Sequence, residues 1–452
     1  MTQTSDVQPY GALIDGVPRR VGGEVRAVTN PYTLQWTASF EVASPDVVDE
    51  ALRSSRRAFP AWSALAGHLR AEILHRVADV LLAHQDELAR LETSENGKLL
   101  RETAGSVVMS ARMFRYYAGL ADKLEGRSVP MDDNWYFDYT LREPVGIVGL
   151  FLPWNAPLLL MSNKLAPALA AGNCAVLKPS EYATLVIVRC AELLLEAGIP
   201  PGVVNVVPGD AETGAALTES AQLDHLSFTG GVPTGRLISQ RAGAVLTSTT
   251  MELGGKSANV VFGDADLDRA AAGVVGGIFG AAGQTCVAGS RLLIEHSVVD
   301  DVLQRVAERA RALVIGDPTD GDTDLGPLAN EPNVRRVRAC IAAAVDAGAE
   351  ALICGDVSKD SYFVAPTIFT GVGNKSELAQ SEVFGPVLAA MPFGDEAEAF
   401  QLANDTPYGL AAGAWTSNVG RAHRAARQLQ AGTVWINTYR TSGVQAPFGG
   451  QG

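Results

Sequence analysis

One cysteine, Cys286, sits in the stretch AAGQTCVAGS, among small residues between Gly283 and Gly289, with no histidine within nine positions on either side. A thiol in such a place leaves room for a substrate, and its chemistry is nucleophilic once the thiolate forms. The other four cysteines, Cys174, Cys190, Cys340 and Cys354, fall in apolar helical or strand-like runs and read as small buried hydrophobes. The five make no C-x-x-C pair and no ligand-like spacing with the six histidines, so reduced thiols and no metal are expected. Two further polar residues stand at places where chemistry is often done. Glu252 closes a β-branched run just before Gly254 and Gly255, and Asn155 lies between Pro153 and Pro157. Taken singly, the first reads as a solvated acid and the second as a turn residue. Lys178 and Glu181, in KPSE, follow a short apolar run. A carboxylate there can bind both hydroxyls of an adenosine ribose and repel a 2′-phosphate, while the lysine steadies the ribose. The same four residues also suit a helix start with acid in its first turn.

The elements that must position these residues are legible as patterns. Strand-like runs at 145–152, 174–178, 203–207, 224–229 and 245–251 alternate with helix-like runs near 157–171, 182–197, 211–219 and 234–242. Such alternation predicts a parallel, doubly wound sheet, which binds ligands beyond the carboxyl ends of its strands. Each of the five strands is followed by polar or glycine-rich sequence: PWNAP, KPSE, PGD with Gly209, GGVPTG, and ELGGK. In FTGGVPTGR a strand runs into Gly230 and Gly231 and then a helix with Pro233 near its start, a turn that can admit a pyrophosphate to backbone N–H groups. The turn is not a G-x-G-x-x-G fingerprint and would also serve as a plain connection. Upstream, residues 45 to about 121 read as helices, the first opening with Ser44 as N-cap and Pro45 behind it. A second alternating block runs from about 258 to 436, with a long helix ending just before Cys286. Between helices and first sheet, VPMDDNWYFDYTLRE alternates like an exposed two-stranded ribbon, suited to pairing with another subunit.

Composition bounds what such a protein can be. The 452 residues call for two or three domains, and 47% hydrophobic against 19% charged residues suits a large buried core. A formal charge of -14, with no offsetting basic cluster, argues against nucleic acid as a partner. The N-terminal MTQTSDVQPYGALIDG lacks a basic start and apolar run, and no apolar stretch is long enough to span a bilayer, so a cytoplasmic protein without membrane contact is expected.

Together the pieces resemble the aldehyde dehydrogenase superfamily, in its non-acylating, NAD-dependent branch. The matching motifs are PWN (153–155), KPSE (178–181), FTGG (228–231), MELGGKS (251–257), GQTC (283–286), EVFGP (382–386), NDTPYGL (404–410) and PFGG (447–450), in family order over nearly the whole chain. The resemblance implies an α/β fold: a Rossmann-type parallel-sheet cofactor domain (1–123 and 143–252), a second α/β catalytic domain (253–436) and a small oligomerisation arm (124–142 and 437–452). It implies a nucleophile in Cys286, facing the nicotinamide between two domains, and an oxyanion held by the Asn155 amide and the Cys286 N–H. Glu252 would be the general base that hydrolyses a thioester. Lys178 and Glu181 would contact the adenosine ribose, and Gly230 and Gly231 the pyrophosphate. Glu382 would hold the nicotinamide ribose, with Phe384 packed beside the nicotinamide. Trp154, Gly209, Gly235 and Leu253 complete the implied cofactor set. NAD is favoured over NADP, the substrate is a small-molecule aldehyde, and a homodimer or homotetramer is expected.

Departures from the family pattern qualify these expectations. Gly231 stands where many relatives carry a phosphate-binding serine, which leaves that contact to backbone or Thr234. NAP replaces an aromatic residue after the asparagine, so a wider substrate entrance is expected. The chain ends at PFGGQG where the family continues for several tens of residues, which touches the oligomer interface more than the chemistry. A CoA-acylating enzyme is the close rival, disfavoured by Glu252; a crystallin-like binding protein is disfavoured because Cys286, Asn155 and Glu252 are all present. Met113, Phe114, Tyr116, Tyr117 and Tyr439 suggest an apolar tunnel or simple core packing, and Arg440 an acidic semialdehyde.

Overall fold

The computed structural model describes residues 9–451, so the first eight positions of the N-terminal stretch lie outside it. The chain forms two compact units. The first is built from residues up to Thr29, Trp36–Glu95 and Thr103–Met251; the second from Asn30–Gln35, Asn96–Glu102 and Glu252 onward.

In the first unit, strands β1 (Ala12–Ile14) and β2 (Val17–Arg19) are followed by an antiparallel pair, β3 (Val25–Thr29) and β4 (Trp36–Glu41). Nothing in the sequence pattern marks these four; β1 and β2 have three residues each, too few to show a period. The helices Pro45–Ala64, Gly67–Ala83, Gln85–Asn96 and Leu100–Ala118 come next. Ser44 does stand at the N-cap, but its hydroxyl makes no capping bond, and Pro45 alone fixes the start. The ribbon is shorter than its alternation suggested: β5 (Ser128–Val129) and β6 (Asp138–Tyr139) pair antiparallel over two residues each. Between them Trp135 is 91% exposed and Phe137 79% exposed.

The five alternating strands follow as β7 (Ile147–Phe151), β8 (Cys174–Lys178), β9 (Val204–Val206), β10 (His225–Thr229) and β11 (Ser248–Glu252), separated by helices Pro157–Ala170, Leu185–Glu196, Ala211–Thr218 and Val232–Ala244. The sheet order is β11-β10-β7-β8-β9-β1-β2, with β10, β7, β8 and β9 mutually parallel and β1 and β2 antiparallel at one edge. β7 and β8 are buried at every residue, as a parallel strand packed between helices must be. Strand order reverses at β7, whose neighbours are β8 on one side and β10 on the other, so a crevice opens beyond the ends of β7 and β10.

Helix Leu185–Glu196 begins three residues later than the helix-like run near 182–197 suggested. Glu181 therefore lies in a turn, not at a helix start. The turn is closed by Thr184 Oγ1 donating to the Ser180 carbonyl at 2.9 Å and by the Ala183 N–H at 3.1 Å to the same oxygen. Thr184, at the N-cap, offers no side-chain cap. The cap comes from ninety residues upstream: Glu95 accepts the N–H groups of Leu185 at 2.7 Å and Val186 at 2.9 Å.

The second unit holds β12 (Ala258–Val261), β13 (Arg291–Glu295), β14 (Glu350–Ile353), β15 (Thr367–Thr370), β16 (Val387–Phe393), β17 (Ala411–Trp415) and β18 (Thr433–Ile436). Their order is β14-β15-β16-β13-β12-β17-β18, parallel throughout except that β14 runs against β15. Val260, Leu292, Leu388 and Ala414 from the four central strands share one apolar core. The segments that precede these parallel neighbours must emerge side by side at the amino edge of the sheet, which is where Glu252–Gly255, Cys286 and Glu382–Pro386 lie in sequence.

Glu95 is 1% exposed, and burial pushes its carboxyl up to about 8 against the pull of the Leu185 and Val186 N–H groups. The folded protein thus retains a proton that the unfolded chain gives up near pH 4.5, so the stability it contributes declines from about pH 4.5 to 8. Glu95→Gln is expected to flatten that decline, raising the midpoint of thermal unfolding relative to wild type more at pH 8.5 than at pH 5.5. Parallel melting curves at the two values check it; an equal offset at both would remove the titration of Glu95.

Candidate active site

In the first unit the crevice at the strand reversal is a cleft of about 360 Å³. Its walls come from the ends of successive strands: Phe151–Trp154 after β7, Lys178, Ser180 and Glu181 after β8, Asp210 and Gly214 after β9, and Thr229, Gly230 and Thr234 after β10. Of the residues singled out from sequence, Trp154, Lys178, Glu181 and Gly230 line it; Asn155, Gly209, Gly231 and Gly235 adjoin lining residues in the chain. Lys178 is 8% exposed, its ammonium pushed down by burial and supported by Glu181 and Asp210. Two features of the cleft match a dinucleotide. The Thr229 hydroxyl is buried without a hydrogen-bond partner among the described residues. The helix Val232–Ala244 starts at Gly231 without a side-chain cap, so its first N–H groups can receive a pyrophosphate. Gly231, at the N-cap, brings no side chain to this end of the helix.

In the second unit the chemistry gathers around Gly254 and Gly255, between the end of β11 and the start of β12. The Gly255 N–H donates to Glu382 Oε1 at 3.1 Å. A Cβ at Gly254 would collide with the other oxygen of Glu382, and one at Gly255 with the carbonyl oxygen of Cys286. Only glycine lets this backbone pass between the two. Glu252, two residues earlier and half-buried, and the half-buried Leu253 are carried to the same place. Gly449 of the PFGG motif comes up to Glu252: a Cβ there would lie 3.3 Å from Oε1.

Cys286 is reached through a strained turn. The preceding helix, Leu267–Phe279, ends seven residues earlier, and Ala281 and Ala282 adopt φ of 53° and 51°, a conformation rare for residues with a Cβ. Glu102 holds the first of them by accepting the Ala281 N–H at 3.1 Å. The thiol is pushed up to about 12, by burial first and then by the charges of Glu382 and Glu252, while the N–H groups of Cys286 and Val287 act in the opposite direction. At neutral pH it is a thiol at rest. Burial likewise raises Glu382, against the Gly255 N–H, Arg336 and Lys256.

Three residues that sequence reasoning passed over fix the loops. Gln284, 3% exposed, accepts the Ala329 N–H at 2.9 Å and Asn333 Nδ2 at 3.1 Å. Asn333 Nδ2 also donates to the Phe384 carbonyl at 3.1 Å, and Phe384 itself sits at φ 56°. Arg336 then donates to the Glu382 carbonyl at 3.1 Å and to Asn333 Oδ1 at 2.7 Å. One side-chain network therefore ties the cysteine loop to the loop of Glu382 and Phe384. Gln284 lies inside GQTC and could have been noticed; Asn333 and Arg336 carry no local signal.

Other expectations change. Tyr439 packs among glycines of the second unit and donates its hydroxyl to the Val287 carbonyl at 3.1 Å, so it supports the cysteine loop from behind. Arg440 donates to the Gly276 carbonyl at 3.2 Å, near the end of the helix before Cys286. Phe114 is wholly buried and belongs to the core, whereas Met113, Tyr116 and Tyr117 are half-buried. Cys340 is half-buried rather than buried, and lines a separate cavity of about 390 Å³. Among the described residues no cluster of three or more His, Cys, Asp or Glu could hold a metal ion, and no helix is long and apolar enough to cross a membrane.

The sequence profile of the aldehyde dehydrogenase family matches residues 20–452. A (Z)-2-((N-methylformamido)methylene)-5-hydroxybutyrolactone dehydrogenase of Acinetobacter baylyi is 43% identical over 429 residues, 94% of this chain and 88% of that protein. A betaine aldehyde dehydrogenase of Cereibacter sphaeroides is 43% identical over 442 residues, 97% of this chain and 91% of its own length. Among solved structures, the NAD+ complex of an aldehyde dehydrogenase from Bacillus cereus superposes with a TM-score of 0.96 at 36% identity, covering 98% of this chain and 91% of that one.

The electrostatics of the thiol set its reactivity in the protein alone. Iodoacetamide labelling of Cys286, followed by mass spectrometry of its peptide, is expected to be slow at pH 7 and to climb about tenfold per pH unit through pH 10. Glu382→Gln should speed it at every pH, because one of the opposing charges is gone. A plateau near pH 8 in the wild type would contradict the half-buried, charge-opposed thiol.

Proposed function

The chain belongs to the aldehyde dehydrogenase family, and from that premise we propose that it oxidises an aldehyde to a carboxylic acid with NAD, using Cys286 as nucleophile and Glu252 as base. The observation that carries this reading is the meeting of the Cys286 loop, the end of β11 with Glu252, and Glu382 around the Gly254–Gly255 backbone.

The chemistry follows from the resting state of the thiol. Attack on an aldehyde carbonyl requires the proton to leave Sγ; Glu252 helps to draw it off and passes it to solvent, so that it is a carboxylate again when hydrolysis begins. The thiolate then adds to the carbonyl carbon, and the new oxyanion can take hydrogen bonds from the Cys286 N–H and, by its place in PWN, from the Asn155 amide. NAD, when bound, accepts the hydride that turns the cysteine adduct into a thioester. Glu252 next removes a proton from water as it attacks the thioester carbon; the acid leaves, and the high proton affinity of Cys286 restores the thiol. The strained turn at Ala281–Ala282, pinned by Glu102, and the Gln284–Asn333 network keep Sγ in place through both half-reactions.

On this reading the first unit binds NAD in its cleft, with Lys178 and Glu181 on the adenosine ribose, the turn of Gly230, Gly231 and Gly235 on the pyrophosphate, and Gly209 and Trp154 alongside. Glu382 and Phe384, with Leu253, serve the nicotinamide end. The exposed ribbon around Trp135 and Phe137 is the proposed arm for a second copy of the chain, and the compartment is proposed to be the cytoplasm. Arg440 donates to the Gly276 carbonyl through Nη1, and a role for it towards an acidic semialdehyde stays part of this proposal.

Cys286→Ala is expected to abolish aldehyde-dependent NADH formation while NAD still binds. Glu252→Gln should release about one equivalent of NADH per site in a stopped-flow burst and then slow by at least about a hundredfold at the thioester. Steady turnover of Glu252→Gln at the wild-type rate would remove the general base from this scheme.

A further inference from the structure

The cleft of the first unit carries a second carboxylate that the motifs do not explain. Asp210 follows β9 by way of Pro208 and Gly209 and lines the cleft together with Lys178 and Glu181. Its two oxygens are both committed. Oδ1 caps the helix Ala211–Thr218, accepting the N–H groups of Glu212 at 2.9 Å and Thr213 at 3.4 Å. Oδ2 accepts Arg26 Nη2 at 2.7 Å. Arg26, on β3, is shared with a second acid, Glu24, at 3.2 and 3.3 Å. Lys178 feels Glu181, Asp210 and Arg26 in turn. The N–H donors and Arg26 outweigh burial and keep Asp210 ionised.

From this arrangement we propose that Asp210 is a further determinant of cofactor choice: with Glu181 it presents two acids to the adenosine ribose, and by engaging Arg26 it withholds the guanidinium that a 2′-phosphate would need. The proposal rests on the reading of this cleft as the NAD site. A 2′-hydroxyl can sit beside ionised carboxylates as a donor, whereas a phosphate carrying up to two negative charges is opposed by each of them. Arginine is the side chain that most often accommodates such a phosphate, through paired N–H groups. Here that group exists, next to the cleft, and is tied down by Asp210 and Glu24. Neutralising Asp210 removes one repelling charge and half of the tie in the same step.

Asparagine and serine both keep the helix cap, so Asp210→Asn and Asp210→Ser should fold. Dissociation constants of NADPH and NADH, measured by calorimetry on the full chain, give a readout independent of turnover. In Asp210→Asn the ratio of NADPH to NADH affinity is expected to rise about tenfold, and in Asp210→Asn with Arg26→Met most of that rise should vanish. The ratio of kcat/KM for NADP over NAD should move in parallel. An unchanged affinity ratio in both Asp210 variants, with NADH bound by the wild type, overturns the proposal and leaves Glu181 as the determinant. A rise that survives Arg26→Met overturns the role given to Arg26. Failure of the wild type to bind NADH at all would overturn the cofactor reading itself, and this proposal with it.

Discussion

Everything in the second unit's site depends on one close passage of backbone. Gly254 and Gly255 run between the carboxylate of Glu382 and the carbonyl of Cys286, with the Gly255 N–H bonded to Glu382 at 3.1 Å. No side chain fits there. The passage holds three loops in register, and each loop is the lead-in to a strand of one parallel sheet. Because β16, β13 and β12 are neighbours, their lead-ins are neighbours too, and residues far apart in the chain reach one place without any loop having to be long. The sheet supplies proximity and the glycines supply contact.

The same closeness has an electrostatic consequence. Two carboxylates and a thiol share a poorly solvated space, and the thiol answers by keeping its proton, up to about 12. Many cysteine enzymes lower the thiol with a histidine or a helix N-terminus. Here the local field does the reverse, so the nucleophile must be released by proton transfer when substrate is in place. A thiol held in this way is expected to react more slowly with oxidants and alkylating agents than a free cysteine. Of the two carboxylates that oppose ionisation of the thiol, Glu252 is the one proposed to deprotonate water afterwards, a role that needs no histidine near Cys286.

The sequence was a good guide to whatever is periodic or chemically distinctive. The five strands and four helices of the first sheet fall within a few residues of where alternation placed them, and the thiol and strand-end polar groups could be picked out by type. What stayed hidden depends on partners distant in sequence. Strands β1 and β2 are too short to show a period, and they exist because β9 offers an edge. The start of helix Leu185–Glu196 was misplaced because the local reading gave the cap to KPSE, whereas the cap is Glu95. Tyr439 and Arg440 also make contacts that no local pattern announces. In the fold they support the cysteine loop and a helix end. The Gln284–Asn333–Arg336 network is invisible locally, since amides and arginines carry no period.

These long-range polar contacts share a feature that bears on how the site is kept. Glu95, Glu102, Gln284 and Asn333 are each bonded to backbone N–H or C=O groups of a loop, at a place where regular structure has run out. A loop has no ladder of its own, so its shape is held only if buried side chains satisfy the groups it leaves open. Glu95, Glu102 and Asn333 reach in from helices, Gln284 belongs to the cysteine loop itself, and their contacts fix segments next to Glu181, Cys286 and Phe384. The scaffold therefore does more than place strand ends near one another. It returns side chains to those ends, and the positions of the thiol and of the cofactor-facing turns are set by contacts that themselves take no part in the chemistry.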